Sequence, residues 1–196
     1  MSEQNEQWLA SILQANKNFR ACASAETLPV QRTPGSLAVI TCMDPRVNLA
    51  AIGIPGFGPN GEGTSAVRVI RTVGAMAEPR SLVIGIFLAG IREVVVLMHT
   101  DCGGCLALAK IDTIIENLKS RLSPAQFQAF QATVGEPFRE RLIEWLKVFE
   151  DPRAAVKKEI TALRSQPYVP DDVIFHGLVY ELTTGAVEVV VNGYEA

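Results

Sequence analysis

Apolar positions along this chain recur with different periods, and the periods predict its elements. "SLAVIT" (36–41), "AVRVI" (66–70) and "VVVLM" (94–98) are short, β-branched and nearly continuous in apolar character, as strands inside a parallel sheet are. "EPRSLVIGIFLAGI" (78–91) is apolar on nearly all sides, which predicts a helix buried between the sheet and another layer. With the strands before and after it, it forms a strand, helix, strand unit. Over 4–22, Trp8, Leu9, Ile12, Leu13 and Phe19 recur at helical spacing, predicting an amphipathic helix packed on the domain or on a partner.

From about Leu106 to Arg164 the pattern is helical, enough for two to four helices. Ser123-Pro124 and Asp151-Pro152 mark starts, each a capping side chain followed by a proline at the first helical position. Near the end, "VIFHGLVYEL" and "AVEVVV" flank Thr183-Thr184-Gly185, predicting a hairpin with a three-residue connection and glycine where a positive φ is wanted. No repeat or linker divides the chain. The expectation is one α/β domain over 1–196: an N-terminal helix (1–22), a mostly parallel sheet carrying the candidate site (36–110), a helical region (111–165) and a C-terminal β-hairpin (173–193).

Composition narrows the function. A net charge of −3 gives no electrostatic footprint for nucleic acid, which is excluded as a partner. The apolar segment around 81–91 is shorter than the roughly 20 residues a membrane span needs, and the start "MSEQNEQW" lacks the basic flank and apolar stretch of a secretory signal. The expected setting is the cytoplasm. Apolar residues make up 48% of the chain, which points to surface buried against another subunit. Four cysteines, Cys22, Cys42, Cys102 and Cys105, are too few and scattered for a disulfide framework. Reduced thiols, able to bind metal, are expected.

Two strand candidates end in potential ligands. "VITCMDPRVN" (39–48) places Cys42, Asp44 and Arg46 two residues apart, and "VVVLMHTDCGGC" (94–105) ends in His99 and Cys102. Both lie at carboxyl ends, where α/β sheets form their crevices. Asp44 before Pro45 reads as an N-cap, with Arg46 in a first helical turn reaching back to it. His99 and Cys102 converge if the chain turns sharply, which Gly103-Gly104 would allow. Two thiolates and an imidazole suit zinc, with a fourth tetrahedral position open.

Taken together, Cys42-x-Asp44-x-Arg46 and His99-x-x-Cys102-Gly103-Gly104 resemble the β-class carbonic anhydrases, zinc enzymes that hydrate carbon dioxide to bicarbonate by attack of zinc-bound hydroxide. The likeness is best from Ser36 to Lys110, and the terminal hairpin resembles a short-chain subgroup. It implies a four-stranded, largely parallel sheet and helices that embrace a second subunit in an obligate homodimer, which assembles further in some members. It implies Zn2+ on Cys42, His99 and Cys102, with Asp44 and Arg46 as a dyad beside the metal. Many members carry serines where this chain has Met43 and Pro45, and arginine-asparagine-alanine-glycine where it has Arg71-Thr72-Val73-Gly74. These departures concern the pocket wall, for which Met43, Val47, Val73 and Leu97 are candidates. Relatives of this type include hydrolases of carbonyl sulfide and carbon disulfide, so the resemblance fixes the chemistry better than the substrate.

Physical chemistry gives Asp44 a task. Two thiolates cancel the charge of the dication and weaken it as a Lewis acid, so a carboxylate held ionised by Arg46 and accepting a hydrogen bond from bound water would help. Plainer readings stand beside this one. Cys22 reads as inert. Cys102-Gly-Gly-Cys105 could be a redox pair, or Cys105 could close a Cys3His structural zinc in a non-catalytic binding module, which would leave Asp44 and Arg46 idle. His176 alternates with Ile174, Leu178 and Tyr180 and reads as structural. Arg68 and Arg71 are expected to pair with carboxylates across the sheet or a subunit boundary.

Overall fold

The first two strands of this chain are held side by side without being joined by a hairpin. In the computed structural model, which describes residues 3–22, 35–54 and 67–195, β1 (Leu37–Cys42), β2 (Val67–Thr72) and β3 (Glu93–His99) are parallel, and β1 lies between the other two. The full order is β2-β1-β3-β4-β5, with β4 (Ile174–Tyr180) parallel to β3 and β5 (Val187–Val191) antiparallel to β4. The sheet is thus five-stranded, four parallel strands and one antiparallel edge, and the expected mostly parallel α/β fold is what forms.

Burial explains the apolar runs. Alternate residues of β1 face opposite sides: Ala38 and Ile40 join Val94, Val96, Met98 and Phe175 in one core, while Val39 joins Leu97, Val47 and Tyr180 in the other. Both faces are covered, so the strand has no polar face. Each fully buried Val, Ile or Leu contributes about 1.5–3 kcal/mol. Helix α2 (Pro79–Phe87) crosses from β2 to β3 over β1, set by Pro79 at its first turn and by Glu78, whose carboxylate accepts from the Arg80 and Ser81 N–H groups. Leu82 and Ile86 pack on the sheet, but Ile84, Phe87 and Leu88 are exposed, the last at 76%. The second layer expected over this helix is not supplied by the described residues, which leave its outer face exposed. Helix α1 (Glu3–Cys22) is similar: Trp8, Leu9, Ile12, Leu13 and Phe19 all point outward.

The helical region contains α3 (Gly103–Ala109), α4 (Ile111–Arg121), α5 (Pro124–Val134), α6 (Phe138–Leu146) and α7 (Pro152–Arg164). Both predicted caps form: Ser123 makes a reciprocal capping box with Gln126, and the Asp151 carboxylate accepts from the Arg153 and Ala154 N–H groups. Helices α4 to α6 enclose a small core of their own around Ile111, Phe138 and Leu142, whereas α7 lays Val156, Ile160 and Leu163 on the main sheet. The β4–β5 connection is longer than expected, running from 181 to 186 between the paired Tyr180 and Val187. The Glu181 carboxylate braces the connection by accepting from the Thr183 N–H, the Thr183 hydroxyl and the Thr100 hydroxyl, while its N–H still donates to the Ala186 carbonyl at 2.8 Å. Gly185 takes the predicted positive φ, +73°. No described helix is long and apolar enough to cross a membrane.

Candidate metal centre

Because β1 and β3 are hydrogen-bonded neighbours, Thr41 opposite Leu97, their carboxyl ends open at one place. There the sulfurs of Cys42 and Cys102 and a ring nitrogen of His99 lie within 4.8 Å of one another, all three residues buried. The two sulfurs are 3.8 Å apart. Two bonds of about 2.3 Å at a tetrahedral angle span roughly that distance. His99 Nδ1 lies 2.8 Å from the Thr100 carbonyl, a bond the ring can make only by donating, which in the neutral ring leaves the lone pair on Nε2. That Nε2 is buried without a hydrogen-bond partner among the described residues. Burial pushes the Cys102 thiol up to about 12, a cost for the thiolate that a cation in the same place would offset. An orphaned nitrogen and two facing sulfurs fit a metal ion, and zinc suits this donor set.

The turn that brings Cys102 back to His99 is not made by the glycines. Asp101 adopts the left-handed region, φ +51°, and Arg46 holds it there, with Nη1 on its carboxylate at 2.7 Å and Nη2 on its carbonyl at 2.9 Å. Gly104 serves packing instead: a Cβ on it would lie 3.2 Å from the Phe149 ring and 3.7 Å from the Cys102 sulfur. Asp101 escaped the sequence reading because nothing in an isolated aspartate announces a positive φ.

Asp44 also differs from its expected role. Residues 45–46 form a turn, not a helix, and the short 3-10 helix beyond them, Leu49–Ile52, is capped by Asn48. The Asp44 carboxylate accepts from the Arg46 side chain at 2.7 Å (Nη2) and 3.0 Å (Nε), and from the Arg46 N–H at 2.9 Å. These bonds, the side-chain ones first, hold its carboxyl down at about 2. Its Oδ2 stands 4.0 Å from His99 Nε2. Arg46 therefore ties the end of β1 to the end of β3 through two aspartates.

Among the described residues of one chain, Arg71 pairs with no carboxylate. From β2 it donates to the carbonyls of Cys42 at 2.9 Å and Val47 at 3.2 Å. It thus grips the loop that carries Asp44. An opening of about 320 Å3 leads to the site, lined by Cys42, Met43, Asp44, Pro45, Val73, Gly103 and Gly104. Met43 and Val73 are on its wall as expected. Val47 and Leu97 are not, being buried beneath it in the core. Cys105 lies outside the convergent group. His176 is far along the sheet, opposite Val95, where Nδ1 accepts from the Gly193 N–H.

A parallel α/β sheet with a cysteine-histidine-cysteine group at its strand ends defines a class of metal-site proteins. Within that class, the chain belongs to the carbonic anhydrase family, of the β type, whose model matches residues 37–187. It is similar to YtiB of Bacillus subtilis (strain 168), 29% identical over 95% of this chain and 97% of that protein. It is also similar to a carbon disulfide hydrolase of Acidianus sp. (strain A1-3), 29% identical over 76% of this chain and 74% of that one. Among solved structures, the carbonic anhydrase of Streptococcus mutans superposes with a TM-score of 0.67 at 27% identity, covering 97% of this chain and 99% of that one.

Proposed function

We propose that this protein is a zinc enzyme that reversibly hydrates carbon dioxide, with Cys42, His99 and Cys102 as the metal ligands and Asp44 and Arg46 as the dyad that manages the proton. Zinc at these ligands would supply a Lewis acid that activates water. The observation that carries the reading is the Asp44 carboxylate turned toward the unpartnered His99 Nε2. In a closed structural site that carboxylate would have no water to orient, leaving it only its tie to Arg46, and Cys105, which would close the site, is outside the group.

The chain's own residues divide the work. Hydration adds a water oxygen to the carbon of carbon dioxide and releases one proton. Asp44, held ionised by Arg46, can only accept hydrogen bonds, so it would orient the water by accepting a hydrogen bond from it and turns away ligands with no hydrogen to give. Met43, Val73 and the bare backbone at Gly103 and Gly104 leave a small, largely apolar approach that suits a triatomic substrate. Hydrolysis of carbonyl sulfide or carbon disulfide is the second reading, favoured by the similarity to carbon disulfide hydrolases. Purified zinc-loaded protein assayed against all three gases decides: turnover of the sulfur compounds without hydration of carbon dioxide would replace the first reading with the second.

The working unit in this proposal is a homodimer or larger. Trp8, Leu9, Ile12, Leu13 and Phe19 on α1, and Ile84, Phe87 and Leu88 on α2, are more apolar surface than an isolated chain keeps in water. Sedimentation showing a monomer at micromolar concentration would overturn it. Four free thiols, two of them assigned to zinc, fit a reducing setting such as the cytoplasm.

A further inference from the structure

Behind the metal centre lies a second recess, about 360 Å3 in volume and lined chiefly by Met76, Ile143, Val148, Phe149, Ala155 and Glu159. Small-molecule sites run from roughly 300 to 1,000 Å3. It joins a smaller one of about 170 Å3, the two sharing Lys147, Glu159 and Ala162. None of these residues lines the opening at Asp44. Phe149 is the partition: a Cβ on Gly74 would lie 2.8 Å from its ring.

Glu159 is the residue the fold does not explain. On α7 it falls on the buried face between Val156 and Leu163, and it is only 7% exposed. Its Oε1 accepts from the Ala77 N–H at 2.8 Å, and no described cation is paired with it. A neutral glutamine would satisfy Ala77 equally well, so the charge itself lacks a structural purpose. A buried carboxylate with one hydrogen bond favours any donor cation that can reach it. Lys147 and Lys158 line the recess but are exposed and stay outside ion-pair distance.

We propose that this recess binds a small organic ammonium ion, its apolar body against Met76, Val148 and Phe149 and its nitrogen donating to Glu159. A hard metal ion would need more oxygen ligands than the recess offers, because its second carboxylate, Glu144, is exposed and paired with Arg141 at 2.8 Å. An anion would find its lysine partners only at the solvated rim and would meet Glu159 at depth. The lysines at the rim are solvated, and their repulsion is screened at physiological salt.

The test uses the zinc-loaded full chain, with benzylammonium as probe and benzyl alcohol and benzoate as controls, followed by calorimetry and saturation-transfer NMR. Saturable binding of benzylammonium, one per chain, is expected without comparable binding of the controls. Glu159→Gln should weaken it by roughly tenfold or more, the scale of a hydrogen bond to a charged group. Ala162→Trp, at an exposed position lining both recesses, should block it without touching Glu159, and decides the matter if Glu159→Gln does not fold. No saturable binding to the wild-type chain up to roughly 10 mM, undiminished binding in either variant, or loss of binding in Asp44→Asn would each overturn the proposal.

Discussion

Arg71 binds the carbonyl of Cys42 across the parallel β1–β2 pair, Nη1 to oxygen at 2.9 Å, while its Nη2 reaches the carbonyl of Val47 at 3.2 Å. One guanidinium thus spans both ends of the loop that presents Asp44. A lysine ammonium is a point charge and cannot bridge two separated acceptors in this way. Arg71→Lys should keep zinc near one per chain and lower turnover by roughly 10- to 100-fold, the range for partners that orient a metal site. Rates beside metal analysis check this. Normal turnover would mean the loop holds itself.

Replacing Cys42 or Cys102 by Ser, or His99 by Ala, removes one of three donors that converge within 4.8 Å. Zinc content should fall from about one per chain toward zero in each case. Cys105→Ser should stay fully loaded. Loss of zinc in the Cys105 variant would revive the closed four-ligand site.

Asp44→Asn preserves size but not charge, and its amide cannot accept from Arg46 as a carboxylate does. Zinc and fold should be retained, with turnover at saturating substrate down by roughly 10²-fold. Unchanged turnover would remove Asp44 from the mechanism.

Acid should reveal the cap of α2. Arg80 first, then the Ser81 hydroxyl and N–H, hold the Glu78 carboxyl down at about 2 from its usual 4.5. A depressed carboxylate adds stability that is complete above its unfolded value and disappears as pH falls through its folded one. The melting temperature of Glu78→Gln should therefore lie below wild type at pH 6, and the gap should close by about pH 2. Because Arg80 is 89% exposed, salt should narrow the gap as well. A gap independent of both would assign the cap to packing.

The parts legible in the sequence are those written by local chemistry. β-Branched runs located β1, β2 and β3 to within one or two residues, and Ser123-Pro124 and Asp151-Pro152 started α5 and α7 where side chain and proline dictate. The convergence of Cys42, His99 and Cys102 could be anticipated because both ligand stretches follow strands. What escaped depends on groups that carry no pattern. Arg71 binds main-chain oxygens, which every residue has, so no pattern announces the contact. Asp101 turns the chain because Arg46, 55 residues away, holds it there. Glu181 braces the hairpin connection through Thr100, on another strand end. The outer faces of α1 and α2 read as buried because an apolar helix looks the same whether its cover comes from its own chain or another.

The pairing of Thr41 with Leu97 has a consequence for folding. Residues on a strand alternate sides, so a slip of one position between β1 and β3 would send the Cys42 sulfur to the opposite face from the His99 nitrogen. Only one register assembles the donor set. A metal ion taken up at this site would then proofread the sheet: it would lock chains whose central strands are aligned and leave misaligned ones free to open and try again.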